Sequence, residues 1–456
     1  MIKNRVLPVI AIIVFAGAVF YTAQSWDQSG FGTAALMTVL LIASLLRLRS
    51  LLKRDGLCRD GLSSLTVLAP VAAMLMARLS AFEVITPDFT MFLQPWTQYY
   101  RANGGFAALG TPLGNYNIPY LTCLSFFSYL PVRELYLIKI LSVLADILLA
   151  YEVYRLTAAL TDSPWARTVS LCVAMALSTV LINGSVWGQC DSIYAAFAIA
   201  AIASALQKTD PVLAKSRAAV NRRLNNNSAA AFAFFALALS FKLQAVFVLP
   251  ILLVLIFTKK IRIRYIWVLP AVYLLAVSPA LIAGRSFTDT LTIYFSEVGS
   301  VGDALNYNSP SVFSLFWEWP LPDMFAKLGI LAAFGVCAFV IYSGIVRREE
   351  LSERSIILAA SILALGVPLF LPHMHERYFI VSEVLLIPLV CANRRLIPII
   401  VLSQIAALLG YHAYLTQRWL LNRFTMNYGF FALAIVFVTL IIQYVKNIDN
   451  GFNDRR

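Results

Sequence analysis

The chain has 456 residues, 60% of them hydrophobic and 13% charged, with a mean hydropathy of +0.78. A water-soluble domain carries about a quarter of its residues as Asp, Glu, Lys and Arg, so these figures exclude a soluble enzyme, a secreted disulfide scaffold and a disordered chain. The net charge of +13 is not a nucleic-acid footprint, because the 36 Lys and Arg fall mostly in short loops between apolar runs, as positive-inside topology requires.

With about 17–25 apolar residues taken as one helical crossing, the runs in chain order are 6–23, 31–46, 62–82, 135–157, 168–186, 192–207, 229–241, 243–258, 265–283, 324–345, 355–371, 378–392, 396–412 and 427–445. The pattern predicts an all-α, polytopic transmembrane fold of about 14 crossings. No cleavage site follows the first run, since Tyr21 to Gly30 leads straight into the second. Basic clusters orient the chain: Lys3 and Arg5; Arg47, Arg49, Lys53, Arg54 and Arg59; Lys208, Lys215, Arg217, Arg222 and Arg223; Lys259, Lys260, Arg262 and Arg264. Each is expected on the cytoplasmic side.

The stretch Ile118 to Val132 is not counted, because doing so would place the basic loop 208–223 outside. Opened by Pro119 and closed by Pro131, it reads as a re-entrant or surface-lying helix. Both termini and every later basic cluster then fall inside. The chain reads as a single transmembrane domain, 1–456, with a first outer loop at 83–134 carrying short juxtamembrane helices and a cytoplasmic linker at 208–228. Six cysteines are spread singly with no C-x-x-C pair, so they read as small buried residues rather than redox or metal ligands.

This topology gathers the polar residues on the outer face. Asp88, in Thr-Pro-Asp-Phe just after a crossing, is placed to act as a general base or to cap a helix after Pro87. Trp96, Tyr99, Tyr100 and Asn103 suit either a sugar face or an interfacial aromatic belt. Trp187, Gln189 and Asp191 lie where one crossing ends and the next begins. There Asp191 either positions an acceptor or caps the following helix. Lys242, between two apolar runs, costs a few kcal/mol unless it snorkels or meets an anion. His373-Met374-His375-Glu376-Arg377-Tyr378 groups donors suited to a phosphate. Its i, i+2 histidines have no third ligand at a zinc spacing. Asp146 lies two turns from Lys139 on one helix, too far for contact, and is expected to pair with another helix.

Taken in order, Pro87-Asp88-Phe89, Asn115-Tyr116-Asn117-Ile118-Pro119-Tyr120-Leu121, Leu141 to Asp146, Trp187-Gly188-Gln189-Cys190-Asp191, Phe241-Lys242-Leu243-Gln244-Ala245 and His373-Met374-His375-Glu376-Arg377 resemble the GT-C glycosyltransferases that use polyprenyl-phosphate sugars. The likeness is to bacterial relatives of GPI mannosyltransferase II and to the dolichyl-phosphate-glucose glucosyltransferases. It spans about 83–390 and leaves the first two and last two crossings outside. The resemblance implies inverting transfer of a hexose, mannose or glucose, from a polyprenyl-phosphate donor to an extracytoplasmic glycolipid or glycan. It places the base at Asp88, donor-phosphate contacts at Lys242, His375 and Arg377, and acceptor or sugar contacts at Asp191, Gln189, Trp187, Tyr116 and Asn117. No metal is expected, since Asp88-Phe89-Thr90 is no D-x-D and a polyprenyl phosphate is already a stable leaving group. The family's Tyr-Pro-Pro-Leu segment departs here, with Asn115, Asn117 and Ile118 in its distinctive places. Short loops and the absence of a C-terminal retention signal point to a bacterial plasma membrane with an outward-facing site, over an endoplasmic reticulum with a luminal one. The rival reading is a transporter or flippase of lipid-linked sugars, whose marks would be broken helices, midplane charges and an internal repeat. No repeat is visible.

Overall fold

The structure, a computed structural model, describes residues 3–208, 216–294, 304–316 and 323–453. The described residues are helical apart from one parallel pairing of two residues, Asn306–Tyr307 with Met374–His375, and short irregular connections. Eight helices are long and apolar enough to cross a membrane: Val6–Gln24, Phe31–Arg54, Gly61–Leu79, Ile263–Ile282, Asp323–Val346, Glu353–Phe370, Arg394–Thr416 and Thr425–Gly451. The pair Pro164–Ala176 and Ser178–Trp187, bent by 47°, is a ninth candidate if taken as one span. Shorter apolar helices run over Ile118–Phe127, Asp191–Ala205, Leu243–Phe257 and Ile380–Ala392. The chain is therefore an all-α integral membrane protein with eight or nine candidate spans among its described residues.

Local sequence explains many of the boundaries. Asp60 starts the helix Gly61–Leu79 with a reciprocal cap, its side chain accepting from Ser63 N while Ser63 Oγ accepts from Asp60 N. Ser352 caps Glu353–Phe370 through its side chain alone, accepting from Ser355 N, and Pro250 opens Pro250–Phe257 where its missing N–H is harmless. The stretch expected to lie outside the crossings forms the ten-residue helix Ile118–Phe127, too short to span a hydrocarbon core about 30 Å thick.

The chain packs into two compact units. One is Met1–Tyr151, Leu171–Ile193 and Ser278–Thr290; the other is Glu152–Ser170, Tyr194–Val277 and Leu291–Arg456. In the first unit the helix Lys3–Gln24 leaves Ile10, Ile13 and Val14 exposed, an apolar surface that suits lipid. The same unit buries an ion pair, Arg78 Nε to Asp146 Oδ2 at 2.8 Å with both side chains 0% exposed. Ser192 Oγ adds a hydrogen bond to Asp146 Oδ1 at 2.5 Å. The partner expected for Asp146 on another helix is thus Arg78, and Lys139 instead donates to the Ala81 and Val84 carbonyls.

In the second unit, every residue from Ser355 to Leu369 is buried, as is every residue from Ile380 to Leu389. Helices apolar on all sides occupy the centre of a bundle. Within the expected linker 208–228 the described residues are largely helical. Residues 217–228 are the first half of the helix Arg217–Phe241, capped by Ser216; residues 209–215 lie outside the described set. The polar tract is helical because its amides have partners. Arg262 donates to Asn221 and Asn225, and Arg264 to Asn225, so polar residues that resemble a solvated loop form one edge of a side-chain network.

Candidate functional site

The sequence-predicted residues fall in two clusters, one inside each unit. In the first unit the helix Gly61–Leu79 ends, and after a turn and a short irregular stretch ending at Thr86 the chain enters a helical turn that carries Pro87 and Asp88. Thr86 Oγ1 donates to the Trp187 carbonyl at 3.1 Å, tying this stretch to the turn that follows the bent helix pair. That turn depends on Gly188, whose φ of +81° lies in the left-handed region that L side chains rarely adopt. The reversal lets Gln189 N reach back to the Asn183 carbonyl at 2.9 Å, and Ser142 Oγ secures the Gln189 carbonyl at 2.7 Å.

The outcome is a half-buried carboxylate gripped through one oxygen. Trp187 Nε1 donates to Asp88 Oδ2 at 2.8 Å, and Gln189 Nε2 donates to the same oxygen at 2.6 Å. Tyr116 then donates its hydroxyl to Gln189 Oε1 at 2.9 Å, fixing the amide so that its NH2 faces Asp88. Trp187 and Gln189 are 1% and 2% exposed, so the donors are held in place by packing. Asp88 is itself in a helical conformation and makes no side-chain cap hydrogen bond to the π-helical turn Phe89–Leu93 behind it. Beside Tyr116 lies a run of rings: Tyr120 at 4.9 Å, Trp96 at 5.7 Å, and Phe92 beyond Trp96 at 5.9 Å. Gly114, with φ +68°, passes so close to Trp96 that a Cβ would meet the indole at 2.7 Å.

Two residues grouped with Asp88 in the sequence have other attachments. Asn117 is 1% exposed and caps Ile118–Phe127, its Oδ1 accepting from Ile118 N at 2.8 Å. Asp191, 0% exposed, opens the helix Asp191–Ala205 and accepts from Asn183 Nδ2 at 2.8 Å. Both brace the backbone on which Tyr116 and Gln189 are carried.

The second cluster gathers Lys242, His375 and Arg377. Lys242 ends the helix Arg217–Phe241 in an extended conformation and is 8% exposed. Its Nζ lies 5.8 Å from the centre of the Tyr378 ring, and the Arg377 guanidinium lies 5.6 Å from the same centre. The His375 ring contacts Tyr378 edge-on at 5.2 Å and stacks on Tyr307 at 4.9 Å with 14° between planes. Burial, and then the positive charges of Arg377 and Lys242, hold His375 well below the usual imidazole range. Arg377 is anchored through Nη1 to Glu376 Oε1 at 3.1 Å, and Glu376 is 0% exposed.

The short strand pairing sets this geometry, with Tyr307 opposite His375 and Asn306 opposite Met374. His373, at φ +62°, turns the chain into the strand; its N–H and Nδ1 bond to the Leu305 and Ala304 carbonyls. His373 is therefore a turn residue, while His375 is the imidazole in the cationic cluster. Sequence reasoning missed Tyr307. The available signal was the tract Asn306-Tyr307-Asn308-Ser309-Pro310, one aromatic among turn formers.

Among the described residues no group of three or more His, Cys, Asp or Glu could hold a metal ion. No protein-family model matches the chain, and no curated protein matches its sequence.

Proposed function

We propose that the chain is an inverting hexosyltransferase that moves mannose or glucose from a polyprenyl-phosphate sugar to a glycolipid or glycan acceptor. The observation that carries this reading is the Asp88 carboxylate, held through Oδ2 by Trp187 and Gln189, with Tyr116 behind Gln189 and a row of aromatic rings alongside. Such a group suits proton removal from an acceptor hydroxyl. As Asp88 takes that proton, the acceptor oxygen forms a bond to the anomeric carbon and the bond from that carbon to the donor phosphate oxygen breaks. The phosphate leaves with the electron pair, and one displacement inverts the centre. Lys242 and Arg377 supply positive charge for the departing phosphate, and neutral His375 supplies a hydrogen bond. Of the aromatic row, Tyr116 and Phe92 are the rings exposed enough to meet a sugar, with Trp96 and Tyr120 packed behind them.

The same reading takes the nine candidate spans together with Glu134–Leu160, Asp191–Ala205, Arg217–Phe241, Leu243–Phe257 and Ile380–Ala392 as fourteen crossings, the active face turned out from a bacterial plasma membrane. A second reading, a transporter or flippase of lipid-linked sugars, draws support from the 47° break in the helix pair Pro164–Trp187 and from the buried Arg78–Asp146 pair.

The test uses purified protein in lipid nanodiscs, radiolabelled polyprenyl-phosphate hexoses as donors and a total envelope-lipid extract as acceptor. Transfer of one labelled sugar by wild type and not by Asp88→Asn supports the transferase. Movement of an intact labelled donor across proteoliposomes, with no labelled product, supports the transporter and sinks the transferase.

A further inference from the structure

The first three long helices serve neither cluster, yet they enclose a cavity of about 450 Å³, within the range of about 300–1,000 Å³ for small-molecule sites. Its walls come from one end of each helix: Pro8 to Phe15 at the start of the first, Ile42 to Arg49 at the end of the second, and Gly61 to Ala72 at the start of the third. Ile42, Leu45, Leu46 and Arg49 follow the i, i+3, i+4, i+7 spacing of a single helix face, and Lys53 extends that face by one turn. Among the described lining residues only Arg49 and Ser64 have polar side chains.

Arg49 is held at the rim. Its Nε donates to Ser64 Oγ at 3.0 Å, and Ser64, 2% exposed, passes its own proton to the Asp60 carbonyl at 2.7 Å. Arg49 pairs with no carboxylate among the described residues. The segment 47–60 carries five cations, Arg47, Arg49, Lys53, Arg54 and Arg59, against Asp55 and Asp60. Asp60 is committed to its helix cap.

We infer that this crevice binds one anionic phospholipid, an acyl chain lying in the apolar cavity and the phosphate meeting Arg49. Charge and shape select the occupant. The walls would strip water from a free phosphate or a sugar without replacing its hydrogen bonds, whereas an amphiphile presents hydrocarbon to the walls and an anion to the rim. Basic pockets between membrane helices recognise anionic head groups by this logic. The site is independent of the transferase reading.

The experiment reconstitutes the full chain in phosphatidylcholine nanodiscs containing a minority of phosphatidylglycerol with a photoreactive acyl chain, and maps the adducts by mass spectrometry. Wild type is expected to carry label on Ile12, Leu46 or Leu68 in preference to the exposed helix Asp323–Val346. Loss of one charged hydrogen bond predicts about tenfold less label in Arg49→Gln. Arg49→Lys retains label, and Leu68→Trp fills the cavity and abolishes it. Label spread evenly over the lipid-facing helices overturns the proposal, as does a photoreactive phosphatidylcholine that labels equally well. Competition by a polyprenyl phosphate stronger than by phosphatidylglycerol also overturns it, because the occupant is then a different lipid. Mapping on wild type stands even where a variant fails to fold.

Discussion

The Asp88 and His375 clusters manage charge in opposite ways. At Asp88 two neutral donors, an indole and an amide, converge on one carboxylate oxygen. Around His375 the neighbours are a lysine, an arginine and two tyrosine rings, with the imidazole kept neutral by burial and by the two cations. Neutral donors orient a negative group without cancelling its charge, which suits a base. Lys242 and Arg377 both lie over the Tyr378 ring, with Glu376 as one counter-charge for Arg377, an arrangement that suits the anion of the proposed donor. Under the proposed transfer, the contrast separates proton chemistry from anion holding.

The strongest way to break that contrast is at Asp88. Asp88→Asn keeps the shape and the aromatic surroundings but removes the base, so transfer is expected to fall about 10²–10⁴-fold in kcat, with donor binding intact. Full activity in this variant would leave the neutral cluster with a structural role only. Next comes the buried ion pair of the same unit. Arg78→Met or Asp146→Leu alone leaves an uncompensated buried charge and is expected to cost about 3–5 kcal/mol of stability, whereas the double variant regains most of it. Thermal unfolding of the three variants in one detergent checks this. If the double variant is no better than the singles, the pair is not a closed unit.

On the cationic side, Arg377→Gln is expected to lower transfer about 10²–10³-fold, the range for removing one preorganised group that stabilises developing charge. Trp187→Phe removes one of the two bonds to Asp88 Oδ2 and is expected to cost about 1.5–3 kcal/mol in the barrier, read as a fall in kcat at unchanged donor affinity. A larger effect of Trp187→Phe than of Asp88→Asn would invert the ranking on which the comparison rests.

Much of the membrane fold is legible in the sequence, because apolar runs, proline positions and basic loops are one-dimensional signals of burial and topology. The runs at 31–46, 62–82, 324–345 and 355–371 all reappear as helices. The helix Arg217–Phe241 extends beyond its apolar run because its polar tract signals a loop only while Arg262 and Arg264, the partners of Asn221 and Asn225, are out of view. At the candidate site, residue type and order single out Asp88, Trp187 and Gln189, but not that two donors share one oxygen. That fact depends on Gly188 reversing the chain and on Ser142 holding it, contacts between segments about 47 residues apart. Tyr307 is hidden for the same reason, since a two-residue strand carries no periodicity and its pairing with His375 spans 68 positions.

The smallest effect tests the protonation of His375. In the unfolded chain an imidazole titrates near 6.5. In the folded protein, burial together with Arg377 and Lys242 keeps His375 unprotonated far below that. Protons therefore bind the unfolded state preferentially once the pH falls below about 6.5, and stability declines with falling pH; above that value both states are neutral and His375 contributes no slope. Lowering the pH from 6.5 to 5.5 is expected to cost about 1 kcal/mol through this one residue. His375→Phe preserves a ring against Tyr307 and Tyr378 while removing the titration, so its stability should fall less over the same interval. Equal slopes for wild type and His375→Phe would mean that His375 titrates alike in the folded and unfolded chain, so that burial and the two cations do not hold it neutral. The imidazole would then not be a neutral donor beside Lys242 and Arg377, and the opposition between the two clusters would collapse from that side.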